Sequence, residues 1–260
     1  MELNYKTFGQ GEPIIILHGM FGTLDNWQTI GKQLSENYTV YILDQRNHGR
    51  SPHNDLIDYP SMAEDLYRFM ESHWIFKAHI LGHSMGGKTA MQFALDHPDM
   101  VDKLIVVDVA PKRYEGGHEH ILKALLALDL SQVENRKDAE DFLRSHLPDE
   151  PESTILFLMK NLSRSKEGHF EWKMNFQAIY NHYQDILDAV HSNHSFEGDT
   201  IFIRGAQSKY IIDTDWDTIL QLFPNAELET IQNAGHWVHA DQPTALLNTV
   251  QLIFGAIIDL

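Results

Sequence analysis

The sequence predicts an α/β protein: a mostly parallel central sheet flanked by helices, with a helical segment inserted as a cap. Short β-branched runs alternate with longer amphipathic stretches from residue 13 to about 110, as βα units around a parallel sheet require. The strand runs stop between Pro111 and about Gly198 and resume at Thr200. At 260 residues the chain is long enough to bury roughly 73 % of its unfolded surface, ample for one large core carrying an insertion. The expected divisions are 1–110 for the first part of the core, 111–198 for the cap and 199–260 for the rest of the core.

Taken in order, residues 3–8 hold two short flanking strands. Residues 14–17, 39–43, 79–81 and 104–107 are apolar, β-branched runs of the kind buried on both faces of a parallel sheet. Ser61-Met62-Ala63-Glu64 has the spacing of a capping box and precedes Leu66, Phe69 and Met70 on one helical face. The helix after Ser84 sets Ala90, Phe93 and Ala94 on one side and stops at His97-Pro98, since proline disfavours helical backbone in the residue before it. Residues 111–198 look helical, with polar breaks near 147–153 and 163–168. A strand at 200–203, a helix at 213–223 and a strand at 227–231 follow. The last helix opens at Pro243 and repeats Leu246, Val250, Ile253 and Ile257.

With 43 % hydrophobic and 22 % charged residues, the chain falls among ordinary globular proteins rather than disordered ones. Its 20 basic and 37 acidic side chains give a net charge of −17, which repels phosphate backbones and anionic lipid. Neither nucleic acid nor a membrane surface is an expected partner. No stretch near the N-terminus reaches the ~20 apolar residues of a spanning helix, and residues 1–10 lack the layout of a secretory signal. The absence of cysteine excludes disulfides, thiolate metal sites and a cysteine nucleophile. The default location is cytoplasmic.

Gly82-His83-Ser84-Met85-Gly86 is a G-x-S-x-G pentapeptide lying between a strand and a helix, the context that a nucleophile elbow requires. Small residues on both sides permit a strained turn that exposes the Ser84 hydroxyl above a helix N-terminus, where negative charge is favoured. His18-Gly19-Met20-Phe21-Gly22 follows another strand as a glycine-rich turn able to aim a backbone N–H at a reacting carbonyl oxygen. With the Met85 N–H it would form an oxyanion hole; Met20 is the first choice for that donor and Phe21 the second. Gly235-His236-Trp237 follows the last strand, so His236 can lie over the sheet edge within reach of Ser84. His239 is the rival among 16 histidines, placed lower because no glycine precedes it. For the acid, Asp108 at the end of a neighbouring strand stands ahead of Asp213 and Asp215.

Five stretches give the resemblance: 18–22, 44–51 (Asp-Gln-Arg-Asn-His-Gly-Arg-Ser), 82–91, 108–111 and 235–239. The chain resembles the YbfF-like esterases of the α/β-hydrolase superfamily, a family with mitochondrial relatives. The resemblance spans both core segments, and matches the cap only in length and helical character. Most α/β hydrolases carry their acid three residues after the glycine of the strand ending at Gly205, where this chain has Ser208. The resemblance implies that Asp108 takes that part, after the strand preceding the cap, and that Ser208 is the family's usual residue.

The expected activity is a serine hydrolase acting on carboxylic esters or acyl thioesters through an acyl-enzyme, with a small-molecule substrate and no cofactor or metal. Ser84 attacks, His236 carries the proton, Asp108 orients His236, and the Met20 and Met85 amides hold the oxyanion. Lactone or carbon–carbon bond hydrolysis, perhydrolysis, and a slowly turning ligand receptor are alternatives on the same scaffold. The loop 44–51 is expected to border the cleft, with His48 in a structural role. His118, His120, His191 and His194 are read as solvated rather than metal-binding. Trp172, Phe176, Tyr180 and Tyr183 fall at helical spacing and are read as packing, with part of the set available to line an acyl pocket. Gly86-Gly87-Lys88 belongs to the elbow, not to a phosphate loop.

Overall fold

The computed structural model describes residues 1–255. The first half of the core contains β1 (Tyr5–Phe8), β2 (Glu12–Leu17), α1 (Gln28–Leu34), β3 (Tyr38–Leu43), α2 (Tyr59–Ser72), β4 (Ala78–His83), α3 (Met85–Asp96) and β5 (Val101–Val107). The intervening segment holds α4 (Glu119–Ala127), α5 (Arg136–His146), α6 (Glu152–Met159), the strands β6 (Leu162–Arg164) and β7 (Phe170–Trp172), α7 (Phe176–Asn181) and α8 (Tyr183–Leu187). The core closes with β8 (Asp199–Gly205), α9 (Trp216–Leu222), β9 (Ala226–Ile231), α10 (Val238–Asp241) and α11 (Pro243–Phe254).

Seven strands form one sheet in the order β1-β3-β2-β4-β5-β8-β9, parallel except for the edge strand β1. Side chains alternate across it as strand geometry demands. Ile15 and Leu17 pack with Leu66, Phe69, Ala90 and Ala94 of α2 and α3, whereas Ile14 and Ile16 pack with Ile30, Leu34, Leu246 and Val250 of α1 and α11. Both faces are therefore covered, which is why these strands read as unbroken apolar runs. The register aligns His83 with Val107 and Val107 with Ile203, so the chain leaves β4, β5 and β8 side by side at one edge. The apolar core of the inserted segment, including Ile121, Leu125, Leu158 and Phe176, continues into Phe21, Tyr59, Met62 and Met85 and seats the insertion over that edge.

Several elements depart from the sequence expectation. One strand, not two, occupies the start of the chain, with Leu3 buried ahead of it. Helix α2 opens at Tyr59, not at Ser61. Asp58 accepts the Ser61 N–H at 2.7 Å, Pro60 lies in the first turn, and Glu64 pairs with Arg68 at 2.7 Å instead of capping. The insertion is not wholly helical: β6 and β7 pair antiparallel, Leu162 opposite Trp172, around a turn holding Gly168 at φ +91°. Trp172 thus stands on a strand, outside the helical set proposed for it. Residues 213–215 form a tight turn before α9 rather than its first turn. Ile257, expected on the last helix, lies outside the described residues. Among the described residues no helix is long and apolar enough to cross a membrane.

Candidate active site

Ser84 joins β4 to α3 with φ +53° and ψ −120°, a backbone state rarely adopted by residues with a side chain. The turn closes because a Cβ is missing at two places. One added at Gly82 would lie 2.2 Å from the Gly86 carbonyl oxygen, and one at Gly86 would lie 2.4 Å from the Leu17 carbonyl oxygen. The Ser84 N–H donates to the Val107 carbonyl (3.0 Å), tying the turn to the neighbouring strand.

His236 links the chain's two other candidates. Its Nε2 lies 3.0 Å from Ser84 Oγ, and its Nδ1 lies 2.8 Å from Asp108 Oδ2. Because the carboxylate accepts, Nδ1 carries the proton and the Nε2 lone pair faces the serine hydroxyl. Asp108 is fully buried and also sits at positive φ, +53°. Its Oδ1 accepts the Gly205 N–H (3.0 Å) and its Oδ2 accepts the Ser208 hydroxyl (2.5 Å). The imidazole is held from two further sides: Tyr210 stacks on it at 3.6 Å and 14°, and the His83 Nε2–H donates to the His236 carbonyl (2.8 Å). His83 stays neutral, since burial and the neighbouring His239 and His236 push its pKa well below the usual range.

The other candidates are engaged elsewhere. Asp213 pairs with Arg204 and Asp215 with Lys112, both at 2.7 Å. His239 stacks on Trp27 at 4.6 Å, and desolvation pushes its pKa down to about 3. Gly19 brings the first glycine-rich turn against the elbow, since a Cβ there would lie 3.2 Å from Ser84 Cβ. The loop 44–51 is not at the cleft: it is drawn inward by its own polar groups and buttresses that turn. Gln45 donates to the His18 carbonyl (2.6 Å), Asp44 accepts the Leu24 N–H (2.8 Å), and Arg46 pairs with buried Asp65 (2.7 Å). His48, wholly buried, has its Nδ1 2.8 Å from the Arg46 carbonyl oxygen.

Ser84 lies at the junction of two cavities beneath the insertion. Met20, Ser84, His118 and Tyr210 border both. The smaller, about 200 Å³, continues past Met85 to Lys88, Tyr59 and Tyr114; the larger, about 470 Å³, runs past His236 and Trp237 toward Phe157. Tyr183, one of the aromatic set left available to line an acyl pocket, lines the smaller arm. His118, read as a solvated loop residue, is partly enclosed, with its Nδ1 3.0 Å from the Tyr183 hydroxyl. Sequence reasoning missed Tyr210, which carries no motif. It also passed over Lys88, although a lysine in the apolar stretch that became wholly buried at 85–95 was itself a signal. Among the described residues no cluster of three or more His, Asp or Glu suits a metal ion.

A family model described as alpha/beta hydrolase fold matches residues 12–243. The chain is 35 % identical over 240 residues to esterase YbfF of Escherichia coli, an alignment covering 92 % of this chain and 91 % of that protein. It is 35 % identical over 261 residues to the sn-1-specific diacylglycerol lipase ABHD11 of Danio rerio, covering 96 % of this chain and 81 % of the relative. Among solved structures, a marine microorganism esterase superposes with a TM-score of 0.92 at 40 % identity, over 97 % of this chain and 99 % of that one. The chain therefore belongs to the α/β-hydrolase family, among its YbfF-like esterases.

Proposed function

We propose that Ser84, His236 and Asp108 are the catalytic triad through which this chain, a serine carboxylic ester hydrolase, cleaves small-molecule esters or acyl thioesters. The observation that carries the reading is the continuous hydrogen-bonded path from Ser84 Oγ through the imidazole to a buried carboxylate, opening where two cavities meet. Ser84 Oγ adds to the substrate carbonyl carbon as His236 Nε2 takes its proton, and Asp108 stabilises the imidazolium. The Met20 and Met85 N–H groups, which have no hydrogen-bond partner among the described residues, hold the developing oxyanion. Met20 is preferred to Phe21 because it borders both arms with Ser84. Collapse of the tetrahedral species transfers the proton from Nε2 to the leaving oxygen or sulfur. Water then repeats the two steps on the acyl-enzyme, releasing the acid and free Ser84.

His236 must deliver its proton to the leaving group, and it borders only the larger arm. The alcohol or thiol portion therefore occupies the larger arm and the acyl portion the smaller. Residues 111–198 act as the cap that walls both, over a core made of 1–110 and 199–260. A cytoplasmic setting belongs to the same reading. The test is hydrolysis of p-nitrophenyl esters across acyl lengths by the wild type, Ser84→Ala and Asp108→Asn. Turnover that collapses in both variants supports the triad. Turnover surviving Ser84→Ala overturns it.

A further inference from the structure

The smaller arm ends on a charge that the hydrolytic mechanism does not use. Lys88 sits one helical turn beyond Ser84 on α3, about 6 Å further along the axis, and is 1 % exposed. Its Nζ donates to the carbonyls of Leu187 (3.2 Å) and Asp188, at the end of α8, and lies over the rings of Tyr114 (4.8 Å) and Tyr59 (5.4 Å). An ammonium has three donors, and among the described residues only two are engaged. An aliphatic acyl chain would leave that third N–H dry and unpaired beside it, which is costly. A carboxylate would satisfy it.

We propose that Lys88 selects the acyl group: the smaller arm takes short acyl chains ending in a carboxylate, that is, half-esters or half-thioesters of dicarboxylic acids of about four to six carbons. The proposal rests on the triad reading, which makes this arm the acyl side. Other groups around the lysine fit the assignment. Arg113 engages the Asp188 side chain at 3.1 Å, and Lys112 is paired with Asp215; among the described residues no carboxylate contacts Nζ. Lys209 and Glu115, of opposite charge, line the same arm, so Lys88 is its one cation buried without a carboxylate among the described residues. Burial outweighs the attraction of Asp188, with Arg113 and Lys112 acting in the same sense as burial, and pushes the Lys88 pKa down to about 7. In the unliganded protein the charge is therefore largely lost above neutral pH, and a bound carboxylate restores it.

The experiment compares ethyl hydrogen succinate with ethyl 4-methylpentanoate, whose isopropyl group has the shape of the carboxylate, in a pH-stat at pH 6.5. The wild type is expected to favour the half-ester at least tenfold in kcat/KM, and Lys88→Met to cut that ratio at least tenfold while still hydrolysing the neutral ester. A wild-type ratio below ten, or a ratio unchanged in Lys88→Met, overturns the proposal. If Lys88→Met does not fold, the wild-type ratio decides alone. It is expected to fall at least fivefold between pH 6 and 9, since a group acting alike on both esters cancels from the ratio, and a constant ratio overturns the assignment. If neither ester is turned over, p-nitrophenyl ester hydrolysis decides the triad reading separately, and Lys88 is judged by calorimetric binding of the same two esters to Ser84→Ala. Tighter binding of the half-ester supports it, and equal or weaker binding overturns it.

Discussion

Asp108→Asn changes one atom of a fully buried carboxylate and tests the whole proton path. In the wild type Asp108 Oδ2 accepts from both His236 Nδ1 (2.8 Å) and Ser208 Oγ (2.5 Å), while Oδ1 accepts from the Gly205 N–H. An asparagine keeps its oxygen toward the Gly205 amide, which only donates, and so turns its NH₂ toward the imidazole. Nδ1 must then accept, the proton moves to Nε2, and Ser84 faces a donor instead of a base. Loss of a triad acid in this way costs about 10⁴-fold in turnover, or about 5.4 kcal/mol of transition-state stabilisation. The fold survives, since no volume changes and the Gly205 contact is kept.

The neighbouring strand offers a rescue. Val107 of β5 pairs with Ile203 of β8, and the Ser208 hydroxyl already touches the oxygen that faces His236. A carboxylate at 208 would extend one bond further, toward Nδ1. Ser208→Asp placed on Asp108→Asn is expected to recover at least a hundredfold of the lost kcat/KM toward p-nitrophenyl acetate, at an unchanged melting temperature. Asp108→Asn retaining activity within tenfold of the wild type would refute the tautomer reasoning. A folded double variant with no recovery would refute the claim that the two strand ends address the same nitrogen.

Three further outcomes follow from packing and ionisation. Gly86→Ala forces a Cβ to within 2.4 Å of the Leu17 carbonyl oxygen and is expected to cost roughly 1–3 kcal/mol, read from the urea midpoint; an unchanged midpoint would show that the turn can open freely. Arg46→Met takes from buried Asp65 its 2.7 Å guanidinium partner and leaves it the Met1 ammonium at 2.6 Å, and is expected to cost about 1–3 kcal/mol, with a less than additive loss when Asp65→Leu is added. Additive losses in that pair would contradict the ion-pair account. Buried His18 and His48 are pushed down to about 4 and about 3, burial being the main cause in each, so the unfolded chain binds more protons than the folded one below the unfolded value of 6.5. Stability therefore rises with pH through this range, and at pH 5 each histidine has removed about 2 kcal/mol relative to neutral pH. Urea titrations at pH 7 and pH 5 giving equal stabilities would contradict it.

What could be read from the residues alone was whatever a short-range rule determines. The sheet was legible because strands covered on both faces must be apolar throughout, as residues 14–17 and 104–107 are. The elbow was legible because its turn tolerates no side chain at 82 or 86. The meeting of Ser84 and His236 needs only the rule that loops after parallel strands gather at one sheet edge. The pairs that escaped were those in which two local signals compete or a tertiary partner decides. Asp58 and Ser61 both resemble helix caps, and Pro60 decides in favour of the earlier one. The strands β6 and β7 are three residues each, too short for a period of two to show.

The loop 44–51 and Lys88 make the harder case, because polar residues are read as exposed unless a partner is known. Arg46 is buried because Asp65, on a different element, waits for it, and Lys88 is buried because two carbonyls at the end of α8 and two tyrosine rings receive it. Those partners lie 19 and about 100 residues away in sequence for the first bond of each group, beyond the reach of any window. The two nevertheless differ in a way that bears on function. The Arg46 guanidinium is matched by the Asp65 carboxylate, donates to the carbonyls of Leu56 and Ser61 as well, and lines neither arm beside Ser84. Lys88 keeps a donor in reserve beside the reacting serine. A buried charge matched by a carboxylate of the chain braces a fold, whereas one matched by no carboxylate among the described residues, and lining a cavity, is a place where an anionic ligand completes the set.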